Sequence, residues 1–447
     1  MSPIAWVLWF VYITALVAIV IGIVWTVVLY VAGGKYLARL RDAPAGDESK
    51  YLWVFLVPAL NEGVTIADSV SRLRAAAATH KILLVINDGS DDDTGAVLES
   101  VAGPDLEVLT RVAPNARKGK AAALNAAFAH LVEDVLNQPR YGRWDRENVI
   151  VAIVDADGRL APGAPSYVAR RFDRPEVGGV QVSVEIYNQD SWLTRMQGLE
   201  FRTFGGMFQV GRSQWGVAFM GGNGQFNRMT ALQSVSSGAG PWSDFLTEDQ
   251  ELGLRLLERG WLGMQEPFTH VSQQGLNKLR PLYRQRTRWM QGNLQVFGNL
   301  HRLHSHHLVG LRRWDALFTL TMPIFQVIIG LATVIAVVLA LFFGVNYVPW
   351  SGSVPWRITT TTLFLVLGLG PTSMGILVLG RGQGWRAIPR VVALAPSYIA
   401  YTWLMWPVTF RGLYRQFRGQ RAWAKTAREA ITRSTPAQPG HEVADSA

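Results

Sequence analysis

Two aspartates that follow an apolar run carry the sharpest chemical signal in this chain. Asp155 comes directly after Val149–Val154, and Asp157 lies two residues further on. Side chains two residues apart on a strand point to the same side, so the two carboxylates would repel each other, and burying them unpaired would be costly. Mg²⁺ and Mn²⁺ are held by a few carboxylates together with substrate phosphates. We therefore predict an Mg²⁺ or Mn²⁺ site at Asp155 and Asp157; the alternative is that both merely begin a loop.

A second acidic pair, Glu248 and Asp249, stands at the start of Leu246–Arg259, a segment with helical periodicity. The structural explanation is a helix start, because Thr247 suits the cap position and acids in the first turn favour the helix dipole. The functional explanation is a general base that deprotonates a hydroxyl group as it attacks. Both can hold together, and we predict that Asp249, with Glu248 beside it, is catalytic.

The segment Gln285–Leu294 places a tryptophan among fixed cations, just before a long apolar stretch. The guanidinium of Arg288 is suited to a diphosphate, because it matches phosphate oxygens bidentately. The indole of Trp289 is suited to a sugar, because indole faces pack on C–H surfaces. The segment indicates polysaccharide chemistry at a membrane.

Two strand ends indicate a nucleotide site. The turn that contains Pro58, Asn61 and Glu62 reverses the chain after an apolar run, and such a turn exposes backbone N–H groups suited to a nucleotide. The alternative is an ordinary strand–loop–helix junction. Asp88 follows the next apolar run and could accept a hydrogen bond from a pyrimidine N–H or a ribose.

Two further segments add a cation and a loop. Lys120 or Lys118 would place a positive charge near the phosphates. Phe219–Arg228 is rich in glycine, and we interpret it as a flexible loop that forms a lip for the acceptor, with Gly222 and Asn223 as contacts. Its Gly-x-Gly-like pattern is weak evidence for a dinucleotide site.

The elements that would position these residues alternate between strands and helices. The predicted strands are Leu52–Val57, Ile82–Ile86, Leu106–Leu109, Val149–Val154 and Val177–Val184, and the predicted helices are Thr65–Thr79, Lys120–Val135 and Leu246–Arg259. This alternation is typical of a mostly parallel sheet, whose ligands bind at the carboxyl ends of the strands.

The charge distribution indicates a membrane rather than nucleic acid as the partner. The formal net charge is +10, but the basic residues cluster beside apolar segments, as in the stretch between Glu266 and Asp315. Basic residues in such places mark the cytoplasmic face and anionic headgroups. The chain has no cysteine, which excludes disulfides, thiolate nucleophiles and Cys-ligated zinc.

Four uncharged or nearly uncharged segments are long enough to cross a membrane. They are Ile4–Val31, Asp315–Val345, Ile358–Gly380 and Val391–Phe410. Four single passes would place the basic tail outside, against the positive-inside tendency. Either Trp314–Val345 therefore crosses more than once, or one segment is re-entrant or interfacial, with a break near Pro323 or Gly368–Pro371. The number of passes stays open.

We divide the chain into five parts. They are a transmembrane helix (residues 1–34), a catalytic domain (35–293), an interfacial helix region (294–313), transmembrane helices (314–412), and a basic amphipathic segment with a disordered tail (413–447). The interfacial region holds a histidine cluster, which we interpret as a polar helix rather than as a metal site: His301, His304, His306 and His307.

In this order, the motifs resemble those of the family-2 inverting glycosyltransferases, especially the membrane-embedded cellulose, chitin and hyaluronan synthases. The resemblance covers about Leu52–Asn293 and implies a GT-A domain, with a Rossmann-like mostly parallel sheet, on the cytoplasmic face of the plasma membrane. Its matching residues are Asp88 (nucleotide), Lys120 (the family's Lys-Ala-Gly-Asn-Leu-Asn segment), Asp155 and Asp157 (metal and diphosphate), Asp249 (base), and Gln285, Arg288 and Trp289 (diphosphate and acceptor sugar). The glycine-rich lip departs from the family pattern, which leaves the product open.

The resemblance implies a UDP-sugar donor, such as UDP-glucose or UDP-N-acetylglucosamine, a divalent metal, and a processive β-glycosyltransferase that elongates and secretes a polysaccharide. The acceptor is then a growing glycan, and an export partner is possible. The first alternative is a non-processive enzyme that adds one sugar to a lipid. The second is a non-enzymatic membrane scaffold that binds nucleotide-sugars. No nucleic-acid partner is expected.

Overall fold

The chain folds around one mixed sheet of eight strands. The computed structural model describes residues 3–343, 355, 375–381 and 383–420. The strands are β1 (Leu52–Ala59), β2 (Lys81–Asn87), β3 (Leu106–Thr110), β4 (Val149–Ile153), β5 (Arg159–Leu160), β6 (Val177–Ile186), β7 (Gln225–Arg228) and β8 (Leu262–Gln273). Their spatial order is β3-β2-β1-β4-β7-β6-β8-β5, and β3, β2, β1 and β4 are parallel to one another.

Helices cover the sheet and continue beyond it. Those of the first half are α1 (Pro3–Leu40), α2 (Ile66–Arg74), α3 (Thr94–Ser100), α4 (Lys120–His130), α5 (Ala164–Phe172), α6 (Trp192–Thr203) and α7 (Val210–Ser213). Those of the second half are α8 (Met229–Val235), α9 (Glu248–Glu258), α10 (Leu279–Phe297), α11 (Leu311–Phe343), α12 (Ile388–Met405) and α13 (Pro407–Phe417).

The central strands are buried on both faces, as a parallel sheet requires. Alternate side chains of β1 point to opposite sides. Trp53 and Phe55 enter one core cluster, while Val54 and Leu56 enter the other, together with Leu124 of α4. The predicted α/β fold with parallel central strands is confirmed.

Strand β7 corrects the prediction of a flexible loop over Phe219–Arg228, because residues 225–228 are buried in the middle of the sheet. β7 runs antiparallel between β4 and β6. Phe226 packs edge-on against Trp53 and Phe55, and the Arg228 guanidinium donates to main-chain carbonyl groups, among them that of Phe172 at 2.7 Å. The Arg228 guanidinium is thus satisfied inside the protein, whereas the side-chain amides of Gln225 and Asn227 are buried without a hydrogen-bond partner among the described residues.

Helix α1 extends past residue 34, the predicted end of the transmembrane helix, and ends at Leu40. Tyr36 is 3% exposed, and its hydroxyl donates to the carbonyl of Gln265 at 2.9 Å. A Cβ at Gly211 of α7 would lie 2.5 Å from the carbonyl oxygen of Leu29. The second half of α1 is therefore packed closely on the sheet domain.

Within the described residues, three helical segments are long and apolar enough to cross a membrane: Trp6–Leu40, Leu311–Ile335 and Gly384–Phe417. The first two are joined through Asp315, which accepts from the indole N–H of Trp25 at 2.8 Å and pairs with Arg212 at 3.2 Å. Of the predicted span 358–380, only residues 375–380 are described, as a 3-10 helix. The predicted break at 368–371 and the tail beyond residue 420 lie outside the described residues.

A buried carboxylate supports the edge of the sheet and gives a stability prediction. Glu266 is fully buried and pairs with Arg170 and Arg171 at 2.8 and 2.7 Å. Glu266→Gln leaves two buried guanidinium groups without their counter-charge, which costs about 3–5 kcal/mol, so we expect a clearly lower Tm of the detergent-solubilised protein. Glu185→Gln, at an exposed position of β6, is the control; equal Tm values for the two variants would contradict the role of Glu266.

Candidate active site

A cleft lies where the parallel strands β1, β2 and β4 end, the edge at which α/β sheets bind ligands. Its empty volume, which includes space open to solvent, is about 730 Å³. Its lining consists of Pro58, Ala59, Leu60, Glu62, Asp88, Gly119, Lys120, Ala123, Asp155, Ala156, Asp157, Gln285 and Arg288. The structure thus brings together predicted site residues from five separate segments of the chain.

Lys120 connects the carboxylates on the two sides of this cleft. It is the first residue of α4, after Gly119 with φ +102°. Its Nζ lies 2.6 Å from Asp155 Oδ1 and 3.9 Å from Glu248 Oε1, and it donates to the carbonyl oxygen of Gly222 at 2.9 Å. Burial opposes the charge of Lys120, yet the carboxylates of Asp155 and Glu248 outweigh it and raise its pKa. Lys120 is therefore held as a cation in the cleft.

Glu248 and Asp249 occupy the first turn of α9. Asp249 Oδ1 accepts from the backbone N–H of Gln250 at 2.8 Å. A Cβ at Gly222 would lie 3.2 Å from both Asp249 Oδ2 and the Nζ of Lys120. Asp249 and Lys120 therefore both border Gly222. Burial raises the pKa of Asp249, and burial followed by the Asp249 charge raises the pKa of Glu248 to about 7. Such a raised pKa suits a general base.

Asp88 lies at one end of the cleft, in a buried ion pair that the sequence did not reveal. Arg111 Nη1 lies 2.5 Å from Asp88 Oδ1, and both side chains are less than a tenth exposed. A signal was available in the sequence, because Asp88 and Arg111 each stand two residues after a predicted strand. In the structure, Asn87 of β2 is in register with Thr110 of β3. The next residues along these parallel strands are Asp88 and Arg111.

Asp155 and Asp157 both border the cleft, as predicted. Asp157 is 6% exposed, and its Oδ2 accepts from the backbone N–H of Gln274 at 3.0 Å. Asn223 fixes the other aspartate, because its Oδ1 accepts from the backbone N–H of Asp155 at 3.1 Å. In the part of the chain that the structure describes, no three carboxylate or imidazole groups form a metal cluster. A cation held here would complete its coordination with phosphate or water oxygens.

Helix α10 contributes Gln285 and Arg288 to the cleft, whereas Trp289 is not part of the lining. The Arg286 guanidinium lies over the Trp289 ring, 4.0 Å from its centroid, and pairs with Glu200 at 2.5 Å. Phe201 packs edge-on against the same indole. The tryptophan is thus held beside the cleft, one residue from Arg288.

Two of the predicted binding residues make contacts within the protein. Asn61 accepts from the backbone N–H of Asp91 at 2.9 Å and donates to the Asp91 carboxylate at 2.5 Å, which ties the loops after β1 and β2 together. Asn223 donates to Gln273 Oε1 at 3.0 Å and is 5% exposed. Neither residue lines the cleft. In the structure both hold the loops that surround it.

The sheet and its acidic cleft define a GT-A fold. The solved structure of a mannosyltransferase from Pyrobaculum calidifontis, in complex with GDP-Man and Mn²⁺, matches 92% of this chain and 99% of its own, with a TM-score of 0.59 and 16% identity. At that identity, the likeness shows the fold. The chain belongs to glycosyl transferase family group 2, whose pattern matches residues 150–407, and the pattern of glycosyl transferase family 2 matches residues 54–235. The protein is a family-2 glycosyltransferase.

Two kinds of relative are similar over different lengths. A beta-monoglucosyldiacylglycerol synthase from Synechocystis is 27% identical over 84% of this chain and 75% of its own. A poly-beta-1,6-N-acetyl-D-glucosamine synthase from Staphylococcus aureus is 28% identical over 54% of each chain. This chain therefore spans about half the length of the second relative and three quarters of the first.

Proposed function

We propose that this glycosyltransferase moves a hexose from a UDP-sugar to an acceptor hydroxyl group at a membrane surface, with inversion at the anomeric carbon. The observation that carries the proposal is the group around Lys120, which contacts Asp155 on one side and approaches Glu248 on the other, with Asp249 next to Gly222. Lys120 thus lies between Asp155, on the side proposed to bind the diphosphate, and the carboxylates of Glu248 and Asp249, on the side proposed to supply the base.

In the proposed reaction, Asp249 accepts the proton of the acceptor hydroxyl group. The hydroxyl oxygen forms the new bond to the anomeric carbon from the face opposite the diphosphate. The bond between that carbon and the diphosphate oxygen breaks, and UDP leaves with the electron pair. Lys120 and Arg288 are placed to stabilise the negative charge that develops on the leaving group.

The nucleotide would lie along the rest of the cleft. We propose that the uracil and ribose lie near Asp88, whose carboxylate accepts and whose partner Arg111 donates, so that the pair offers both kinds of hydrogen bond. Pro58 and Glu62 line this part of the cleft. Asp155 and Asp157 are the residues that would hold Mg²⁺ or Mn²⁺, because carboxylate oxygens suit these ions. When bound, such an ion neutralises diphosphate charge.

The acceptor decides between two products. Elongation of a polysaccharide follows from the sequence motifs and assigns Trp289 and Gly222 to the acceptor end. Transfer of one sugar to a lipid is the second candidate, favoured by the longer match to the glucosyldiacylglycerol synthase, which extends over 84% of this chain.

The test is to incubate purified enzyme with UDP-glucose or UDP-N-acetylglucosamine, with and without diacylglycerol. A long polymer supports the first candidate, and a lipid with one sugar supports the second.

We further propose a multi-pass protein of the plasma membrane, with the residues 35–293 domain in the cytoplasm, where UDP-sugars are available. Three helical segments of the described chain are suited to cross the bilayer. If the product is a polymer, an export partner is required wherever these helices do not form the passage themselves.

The raised pKa of Asp249 gives a pH prediction. The base form is the carboxylate, which is populated above the pKa, so kcat/KM falls as the pH drops through this raised value. We expect an acid limb clearly above the ordinary aspartate value of 3.8, because burial disfavours the charge. The measurement is the rate of UDP release against pH at low donor concentration. An acid limb at 3.8 or below would show that Asp249 is not the buried base.

A further inference from the structure

A second cavity lies outside the catalytic cleft, at the other end of α9. Its empty volume is about 870 Å³, and none of its lining residues belongs to the cleft. The lining consists of Val235, Arg255, Glu258, Arg259, Arg302, Ser305, His306 and His307. Asp249 and Glu258 are nine residues apart on α9, so at 1.5 Å per residue the two sites are separated by roughly 14 Å along the helix.

The lining of this basic cavity is dominated by hydrogen-bond donors with positive charge. Its one acid, Glu258, is already paired with Arg302 at 2.5 Å, and Arg255 is paired with Glu251 behind the wall. Arg259 is exposed. The Nε of Arg302 is buried and has no hydrogen-bond partner among the described residues. A guanidinium donor without an acceptor, beside a free cation, is suited to an anion.

A hydroxyl group in the wall of the cavity occupies a backbone carbonyl oxygen whose partial negative charge would repel an anion. The hydroxyl of Ser305 donates to the carbonyl oxygen of Glu258 at 2.7 Å. This contact satisfies a carbonyl group at the carboxyl end of α9, the end that would otherwise disfavour an anion. The rings of His306 and His307 lie 3.9 Å apart and add imidazole N–H groups on the same side.

The basic cavity is built onto the first turn of a membrane helix. Arg313 of α11 donates to the carbonyl of Leu308 at 2.7 Å, and Arg312 donates to that of His307 at 3.4 Å. Leu308 packs in the same cluster as Ala316 of α11. The exposed side chain of Trp314, at 63%, is typical of a helix end at the membrane–water interface. The cavity therefore lies beside the first turn of a helix that is apolar enough to cross a membrane.

We propose that this basic cavity binds a phosphate-bearing anion, at a site separate from the donor cleft. Arg259 supplies the charge, Arg302 supplies the Nε–H that has no acceptor among the described residues, and His306 supplies a further donor. The chemistry is shared by an anionic lipid headgroup and by free phosphate. The position beside α11 favours the headgroup, because anionic lipids attract basic groups close to the membrane surface.

The test is a thermal-stability titration of the full chain in a neutral detergent. One arm adds a short-chain phosphatidylglycerol, a second adds inorganic phosphate, and a short-chain phosphatidylcholine is the zwitterionic reference. A ligand that binds only the folded state raises Tm in a saturable manner. We expect the Arg259→Gln/His306→Gln double variant to need at least about ten-fold more phosphatidylglycerol for the same rise, a change of ~1.4 kcal/mol in binding.

Matched variants separate this site from general charge effects and from the cleft. Arg386→Gln/Arg390→Gln removes exposed cations at the start of α12 and should titrate like the wild type, as should Arg288→Gln in the cleft. Arg302→Gln is the second test of the cavity. The site is supported if phosphatidylglycerol or inorganic phosphate raises Tm in a saturable manner and the cavity variants weaken this response. The probe that has this effect identifies the source of the anion. The proposal is overturned if neither probe raises the Tm of the wild type, or if the Arg259→Gln/His306→Gln and Arg386→Gln/Arg390→Gln double variants respond alike. It is also overturned if only Arg288→Gln weakens the response.

Discussion

Replacing Asp249 with asparagine abolishes sugar transfer and leaves UDP binding intact, if Asp249 is the base. The substitution keeps the size of the side chain but removes its capacity to accept a proton. We expect kcat to fall by about 10²–10⁴, the usual contribution of general acid–base catalysis. The rate of UDP release measures the loss, and titration calorimetry with UDP measures binding.

The matched control is Asp244→Asn, the same change at an exposed position four residues before the first turn of α9. It should leave the rate and UDP binding unchanged. Transfer at the wild-type rate by Asp249→Asn would remove this residue from the base role. Loss of UDP binding along with transfer would instead assign Asp249 to the donor site.

The second large effect is expected for Lys120→Met. This change removes the cation that contacts Asp155 and approaches Glu248, and methionine fills a similar space. We expect kcat/KM to fall by about 10²–10³, the loss typical of one charge-stabilising donor. Because the Lys120 charge lowers the pKa of Asp249, the acid limb of the pH profile should also move to higher pH.

Lys118→Met is the control for this experiment, because Lys118 lies two residues away and is exposed. The sequence left open which of the two lysines serves the phosphates, and the contacts favour Lys120. Equal losses for the two variants would point to a general effect of charge on donor attraction. A loss for Lys120→Met without any change in the pH profile would contradict its coupling to Asp249.

Residues at the ends of predicted parallel strands were the part of the site that the sequence predicted best. Asp88, Asp155 and Asp157 border one cleft in the structure, because strands β1, β2 and β4 are in parallel register and their ends meet at one edge. Strands of this kind are recognisable from their continuous apolar runs. The roles of Lys120 and Arg288 were predicted from residue type and from the resemblance. Lys120 begins α4 and Arg288 lies within α10, so the rule for strand ends does not bring them to the cleft.

Strand β7 was missed for a physical reason. Its residues Gln225, Asn227 and Arg228 are polar and follow a glycine-rich turn, so the segment lacks the apolar alternation that identifies a strand. Its burial depends on the tertiary contacts of Arg228 with distant carbonyl groups. The end of α1 was missed similarly, because Tyr36 is buried by tertiary contacts with β8 and with Arg171 of α5.

The contacts that a side chain makes also could not be predicted from its position in the sequence. Asn61 stands where a nucleotide contact is expected, but it bonds to Asp91 of the neighbouring loop. Trp289 lies next to Arg288 in sequence, yet it packs with Arg286 and Phe201 rather than on the cleft wall. Consecutive side chains on a helix point in different directions, so two residues that are adjacent in sequence need not face the same site.

The most direct test of the whole account is an experimental structure of the full chain with UDP and Mn²⁺. We predict the diphosphate between Lys120 and Arg288, the metal ion at Asp155 and Asp157, and the uracil beside Asp88. The carboxylate of Asp249 should face the side of the diphosphate where the sugar would be attached. A nucleotide bound elsewhere, with the cleft filled only by water, would contradict the assignment of the active site.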